Sequence, residues 1–402
     1  MSCTNCANCP IANRCGSNSE STVEEVQTPI IAPTTEPIDL STLPVSIPKD
    51  GEPAKCVVMV SGGLDSLLAT KILVNLGLHV IVYHGIHAYE PHGALRHESA
   101  KRLEAKCLDM GVKEVVFIET SFEILNLVKN PVYGLGKHQN PCVDCRINNF
   151  RNAVSIVKEK GAQFIATGEV VGQRAMSQTA GQMAKVDAEI AKMGFHGLVL
   201  RPLCAKNMTI SIPERLGWVD REKLYSFSGR TRKPQMQLAK QINLGPYPSP
   251  AGGCLLTVKQ TADRVADLIK HETNEQPITI TDLDLIGVGR HVRFSPTQKA
   301  VAARRAEEVE LLGKLAPVQH RWSAHGVSGT VVLAFGPLTP EFELFLGGLA
   351  LYYSKSRDAD VADVCKYGGP DGITYENAQV QTAVKPLSRE QIVPIMIPPH
   401  DE

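Results

Sequence analysis

From Lys55 onward, short runs of β-branched and aliphatic residues alternate with longer amphipathic stretches. KCVVMV (55–60), HVIVYHGI (79–86), EVVFIET (114–120) and QFIATGE (163–169) have the near-continuous apolar character of parallel strands covered on both faces. SLLATKILVNLG (66–77), ESAKRLEAKCLDMG (98–111) and NNFRNAVSIVKEKG (148–161) carry apolar residues at helical spacing, and each ends on glycine, a common helix stop. Strands and helices linked this closely imply right-handed crossovers, hence an α/β fold built on a doubly wound parallel sheet. Ligands of such sheets bind beyond the carboxyl ends of the strands.

Outside that core the pattern changes. Residues 1–50 comprise a cysteine-rich head, MSCTNCANCPIANRCG, and a Ser/Thr/Pro/Glu tether without periodicity, which we expect to be disordered. The alternating core occupies 51–205. Residues 206–276 are rich in Pro, Gly, Arg and Lys and read as an irregular, substrate-facing extension ending in a helix, TADRVADLIKHE. Residues 277–402, opening with ITITDLDLIGVGRHVRF, read as a C-terminal α+β domain, and no internal repeat is present.

Composition narrows the classes. Lys and Arg number 42 against 42 Asp and Glu, so no bulk positive field draws in a polyanion, and any nucleic-acid site must be a local patch. No apolar run approaches the roughly 20 residues needed to cross a bilayer, which points away from a membrane protein. Eleven cysteines without a secretory leader point to a reducing, cytoplasmic setting, where thiols act as metal ligands or catalysts. The oligomeric state is not legible.

The strand KCVVMV runs directly into SGGLDS (61–66) and then into a helix, the context an anion-binding loop needs. Gly62 and Gly63 let backbone approach a phosphate, and the helix N-terminus adds partly unsatisfied amides. Ser61 and Ser66 offer hydroxyls, and Asp65 is placed to hold Mg2+ or to cap the helix. The absence of GxxxxGK[ST] disfavours a loop that grips phosphate with a lysine. The loop resembles the signature SGGxDS of the PP-loop (HUP-type, adenine nucleotide alpha hydrolase) superfamily. That resemblance implies ATP split between its α and β phosphates, with AMP passed to an acceptor oxygen and pyrophosphate held by the loop.

A second segment, ATGEVVGQRAMSQT (166–179), starts at a strand end, and LRPLCAK follows at 200–206. Both resemble the TGE-x-x-GQ-x-x-SQT and RPL segments of the tRNA 4-thiouridine synthase family. The resemblance covers residues 55 to 206 and implies that Gly168, Gln173 and Ser177 help to enclose the nucleotide. Two features of that family are missing: an N-terminal THUMP region and a C-terminal rhodanese-like persulfide cysteine.

Cys142 and Cys145 form a CxxC in NPCVDCR, just before a predicted helix. By spacing alone they suit zinc, a redox dithiol or an iron-sulfur ligand pair. Cys254 lies in YPSPAGGCLLT, a rigid, glycine-marked segment. The trio resembles cluster-dependent tRNA thiolases, which implies a [4Fe-4S] cluster on Cys142, Cys145 and Cys254 with one iron open to sulfide. NPCxxC is similar also to the persulfide relay of the tRNA 2-thiouridylases. Cys3, Cys6, Cys9 and Cys15 in the head have a spacing that suits a second cluster or zinc. Cys56, Cys107, Cys204 and Cys365 read as small core residues.

The segment SGRTRKPQMQLAK (228–240) gathers Arg230, Arg232 and Lys233 into a candidate RNA-binding patch. Residues from GVGRHVRF to LALYYSKSRDADV weakly resemble the RNA-binding domain of NFACT proteins. Together these readings predict an ATP-dependent tRNA sulfurtransferase that adenylates a uridine carbonyl oxygen and replaces it with sulfur. Asp65, Cys142, Cys145 and Cys254 carry the chemistry in that reading. Ser61, Gly62, Gly63, Asp65, Ser66, Gly168, Gln173 and Ser177 bind ATP, and sulfide or a persulfide donor such as a cysteine desulfurase supplies sulfur. Two alternatives stay open: a sulfur or nitrogen transferase for a small molecule, and a non-catalytic, nucleotide-sensing RNA-binding protein.

Overall fold

In the computed structural model, residues 38–247 and 253–398 are described. The cysteine-rich head and most of the tether lie outside the described residues. Of the tether, residues 38–50 form a short turn at Leu40–Thr42 capped by Asp39, and Val45 packs on the core.

The apolar runs found in the sequence form the expected strands. β1 (Lys55–Met59), β2 (His79–Ile86), β3 (Glu114–Glu119), β4 (Phe164–Thr167) and β5 (Val199–Leu200) make a five-stranded sheet in the order β3-β2-β1-β4-β5. Every pairing in it is parallel, with Val57 opposite both Ile81 and Ile165. The chain winds outward from β1 in both directions, so the switch point lies between β1 and β4.

Helices α1 (Leu64–Asn75) and α2 (Arg96–Asp109) cover one face, while α4 (Cys142–Lys160) and α5 (Ala180–Lys192) cover the other. α3 (Ser121–Lys129) joins β3 to α4. Helix α4 stops where Gly161 takes φ 60°. Its start differs from the sequence reading, because the CxxC lies inside its first turn rather than ahead of it. Pro141 at the N-cap explains this, since a fixed φ and a missing N–H suit a helix entry.

The extension contributes α6 (Ile212–Arg215) and α7 (Lys233–Gln241), and the latter packs on α1. α8 (Lys259–His271) and α9 (Ile280–Asp284) lead to a seven-stranded sheet. Its members are β6 (Arg290–Ser295), β7 (Gln298–Ala302), β8 (His320–Ala324), β9 (Val332–Phe335), β10 (Ala362–Gly368), β11 (Gln379–Val384) and β12 (Met396–Ile397). They lie in the order β11-β10-β8-β9-β7-β6-β12 with every pairing antiparallel. α10 (Ala306–Leu315), the apolar α11 (Pro340–Tyr352) and α12 (Arg389–Ile392) complete the α+β part. The fold class is therefore as the hydrophobic pattern implied: a doubly wound parallel sheet, an irregular extension, then an antiparallel sheet with helices.

The two parts meet through buried ionic and hydrogen-bonded groups. Arg96 donates to Glu119 at 2.7 Å and also pairs with Asp284 of α9. Arg264 of α8, almost fully buried, donates to the carbonyls of Ile286 (2.8 Å), Gly289 (2.8 Å) and Ile397 (3.3 Å). Among the described residues, no helix is long and apolar enough to cross a membrane.

Candidate active site

At the switch point, the chain leaves β1 and bends through Gly62, whose φ of 75° excludes ordinary side chains. Gly63 is the N-cap of α1 and supplies no side-chain acceptor, which leaves the helix start open to an anion. Ser66 Oγ donates to the Gly63 carbonyl at 3.0 Å and accepts from the Ser61 amide at 3.3 Å, with the Ser61 hydroxyl 3.4 Å away. The two hydroxyls thereby shape the bend.

Asp65 does not cap its helix. Its Oδ2 accepts from Gln173 Nε2 at 2.5 Å and from Arg232 Nε at 3.4 Å, while Oδ1 is buried without a hydrogen-bond partner. Burial raises its pKa, against the opposing pull of Gln173, Arg232 and Arg174. An unpartnered buried carboxylate oxygen is costly, and it suits a hard cation such as Mg2+. Gln235 of α7 holds Gln173 from behind, Nε2 to Oε1, at 2.7 Å. Gly168 is the contact between β4 and α1: a Cβ there would lie 2.5 Å from the Asp65 backbone and from the Ser66 nitrogen. Ser177 is buried just behind, with its amide 3.4 Å from the Arg174 carbonyl.

Glu169, past the end of β4, is buried between Arg146 (3.1 Å) and Arg201 (3.0 Å), and Arg201 reaches on to Asp187 at 2.6 Å. Burial works to raise the Glu169 pKa, but the two guanidiniums outweigh it and hold the carboxyl below its usual range. This pair fixes Arg146 on α4, one residue beyond the CxxC.

The thiols converge. Cys142 and Cys145 are one turn apart on α4, and Cys145 packs against the same apolar cluster as Cys254. The Leu255 amide donates to the Tyr89 carbonyl at 2.8 Å and the Gln139 amide to the Leu256 carbonyl at 3.3 Å, which ties the Cys254 segment to both neighbours. Burial first, then the charges of Cys254 and Cys142, push the Cys145 thiol up to about 12. Cys254 is pushed to about 11, again by burial first, with Cys142 and Glu90 adding to it. Burial also raises Cys142, whose Sγ lies 3.1 Å from Asn140 Oδ1, although Asn140, Arg146 and Arg174 oppose the shift.

Three soft thiols that disfavour one another's ionisation are a donor set that a positively charged cluster would relieve. Among the described residues, however, no group of three or more His, Cys, Asp or Glu is disposed to hold a metal ion. By donor type alone, thiols of this kind suit an iron-sulfur cluster, a zinc ion or a redox dithiol. Cys3, Cys6, Cys9 and Cys15 lie outside the described residues. Cys56, Cys107, Cys204 and Cys365 are buried core residues, as expected.

The basic segment read as a single patch is divided. Arg232 turns inward to Asp65, whereas Arg230 and Lys233 stay exposed. Trp218 stacks on Phe164 at 6.5 Å within the core. Sequence reasoning passed over Arg146, Gln235 and Asn140, and also the buried His84 and the half-buried Glu90, which lie 3.5 Å apart. Arg146 carried one usable signal, its place directly after the CxxC. Gln235 carried none, because its partner is 62 residues away.

Comparison with known proteins sharpens this. Residues 51–223 match the family model described as thiamine biosynthesis protein (ThiI), and residues 289–394 match that of the NFACT protein RNA binding domain. A probable tRNA sulfurtransferase of Methanosarcina mazei is 30% identical over 178 residues, covering 42% of this chain and 40% of that protein. The tRNA-specific 2-thiouridylase MnmA of Xanthobacter autotrophicus is 31% identical over 144 residues, covering 32% of this chain and 36% of its own length. The chain thus spans well under half the length of these relatives. A solved 4-thiouridine synthetase–RNA complex with bound ATP is 18% identical, covering 48% of this chain and 52% of that one, at a TM-score of 0.31, too low to weigh. The PP-loop part of the chain is similar to the tRNA sulfurtransferase and 2-thiouridylase families, and its C-terminal part to the NFACT RNA-binding domain, as the two sets of motifs led us to expect.

Proposed function

We propose that the chain is an ATP-dependent tRNA sulfurtransferase. The uridine carbonyl oxygen attacks the α-phosphorus of ATP, the bond to the β-phosphate oxygen breaks, and pyrophosphate leaves into the SGG bend. Amides of the bend and of the α1 N-terminus offset the charge that builds on the leaving group, and Asp65 would hold a Mg2+ ion that adds to this effect. Sulfide then adds to the adenylated carbon, and the C–O bond breaks as AMP departs with the oxygen. Cys142, Cys145 and Cys254 would hold a [4Fe-4S] cluster, and such a group would supply the sulfide. Gln235 holds Gln173, which in turn orients Asp65.

The observation that carries this reading is a chain of contacts: Gly168 abuts the Asp65 backbone, and the adjoining Glu169 is held at 3.1 Å by Arg146, which directly follows the CxxC. Phosphate loop and CxxC are thereby neighbours, as a single reaction centre requires. In this reading residues 51–205 perform the chemistry, 206–276 approach the substrate, 277–402 recruit RNA, and a reducing cytoplasm keeps the thiols usable.

The test is anaerobic purification with iron and sulfide analysis, followed by incubation with ATP, sulfide and bulk tRNA. We expect AMP, pyrophosphate and a thionucleoside detectable by mass spectrometry. Release of ADP and orthophosphate would end the reading outright. AMP release with no sulfur entering RNA would transfer it to a small-molecule acceptor.

A further inference from the structure

A concave site lies far from the phosphate loop in sequence, where the start of β6, the end of α11 and the α12–β12 segment meet. The cavity is about 310 Å³ and is lined by Arg290, Arg357 and Arg389 with Tyr352, Tyr353 and Met396. None of the residues lining it is acidic. Asp358 lies 3.8 Å from Arg357, but it is exposed to water and outside the cavity, so the pairing is weak. In a chain with balanced charge, three guanidiniums around one hollow form the local positive field that the composition as a whole lacks.

The tyrosines are organised as well. Their rings meet edge to face at 4.8 Å, Arg290 lies over Tyr353 at 4.6 Å and Arg357 over Tyr352 at 5.3 Å. Stacking each guanidinium on a ring presets both groups and limits the freedom lost when a ligand enters. Planar aromatic and guanidinium surfaces beside phosphate-binding donors are what a splayed base and its phosphate require. A duplex presents its bases stacked inward and does not enter a hollow of this size.

We propose that this pocket holds one unpaired nucleotide of an RNA strand, its phosphate on Arg357 and Arg389 and its base against the Tyr352–Tyr353 pair. The choice of RNA over a free nucleotide rests on the RNA-acting reading above and on the match of residues 289–394 to an RNA-binding domain. A chain of contacts leads from the site toward the thiol region. Arg290 follows Gly289, whose carbonyl is held by Arg264 of α8, the helix that begins five residues after Cys254.

The full-length protein is titrated with a fluorescein-labelled oligouridylate, with the same strand annealed to oligoadenylate, with UMP and with inorganic phosphate. We expect the single strand to bind tightest. Arg357→Ala with Arg389→Ala should reduce the slope of log affinity against log salt by about 1.4, two contacts at roughly 0.7 each. Tyr352→Leu should weaken binding on the order of tenfold and leave that slope unchanged. Thermal melting establishes that each variant is folded. A control pair at exposed lysines away from the cavity, Lys270→Ala with Lys314→Ala, should leave the slope as it was. Equal affinity for the duplex, UMP or phosphate competing as well as the oligonucleotide, or the same slope change in the control pair would each overturn the assignment. Failure of the wild-type protein to thiolate tRNA would remove the proposed reaction and leave this binding result standing.

Discussion

The parallel sheet and the antiparallel sheet treat buried charge in opposite ways. In the antiparallel part, Lys299 pairs with Asp282 at 3.1 Å, Arg264 donates to three carbonyls, and His291 Nε2 lies 2.9 Å from the Val288 carbonyl and 3.0 Å from that of Leu285. Each of these groups has its hydrogen bonds made inside the protein, which is the condition for a structural buried charge. At the carboxyl edge of the parallel sheet, Asp65 Oδ1, Gln178 Oε1, Gln235 Oε1, His87 Nδ1 and the Tyr89 hydroxyl are buried without partners. Arg321 Nε and Ser323 Oγ on β8 share this condition in the antiparallel part, but the unmatched groups gather at the edge of the parallel sheet and mark the place that awaits a ligand.

The contrast breaks most sharply at Lys299. Lys299→Ala leaves the half-buried Asp282 without its cation, with only the Thr279 hydrogen bonds remaining, so we expect a loss of about 3 kcal/mol in urea unfolding with AMP formation per folded molecule unchanged. A parallel loss of activity would make the two regions alike.

Asp65→Ala should do the reverse. It removes a carboxylate oxygen that is buried without a partner, so unfolding stability holds or rises, while AMP and pyrophosphate formation drops by about 10²–10³-fold.

Two glycines sharpen the comparison further. Gly168→Ala drives a methyl into the backbone of Asp65, costing about 1–3 kcal/mol and raising the KM for ATP. Gly347→Ala in α11 meets only the side chains of Val364 and Val384, at 3.1 and 3.3 Å, and should leave the KM untouched.

The smallest effect concerns Glu90, whose burial raises its pKa to about 7 from an ordinary 4.5. The folded state then holds a proton that the unfolded state releases, so stability falls as pH rises from about 4.5 to 7. Glu90→Gln should flatten that decline by about 1–2 kcal/mol, read from urea midpoints at either end of the window.

What was legible in the chain was local. SGGLDS announced itself because strand, bend and helix follow one another within a dozen residues, and the parallel sheet followed from the apolar runs. The CxxC was found, but its place inside α4 was not, since a proline at the N-cap looks much like a proline ahead of the helix. Arg232 read as part of a surface patch because nothing nearby in sequence tells that its neighbour is Asp65, which packing brings together from 167 residues away. The Arg146–Glu169–Arg201 chain was invisible for the same reason: each member is an ordinary surface residue type until burial pairs it. The tyrosine-arginine hollow needed three separate elements of the antiparallel part to meet.

Arg264 has a consequence for the order in which the molecule is made. One of the carbonyls it holds belongs to Ile397 of β12, so helix α8 gains this anchor only when a segment 133 residues downstream has been synthesised and added. A growing chain on the ribosome would already display the glycine bend and the CxxC before that anchor exists.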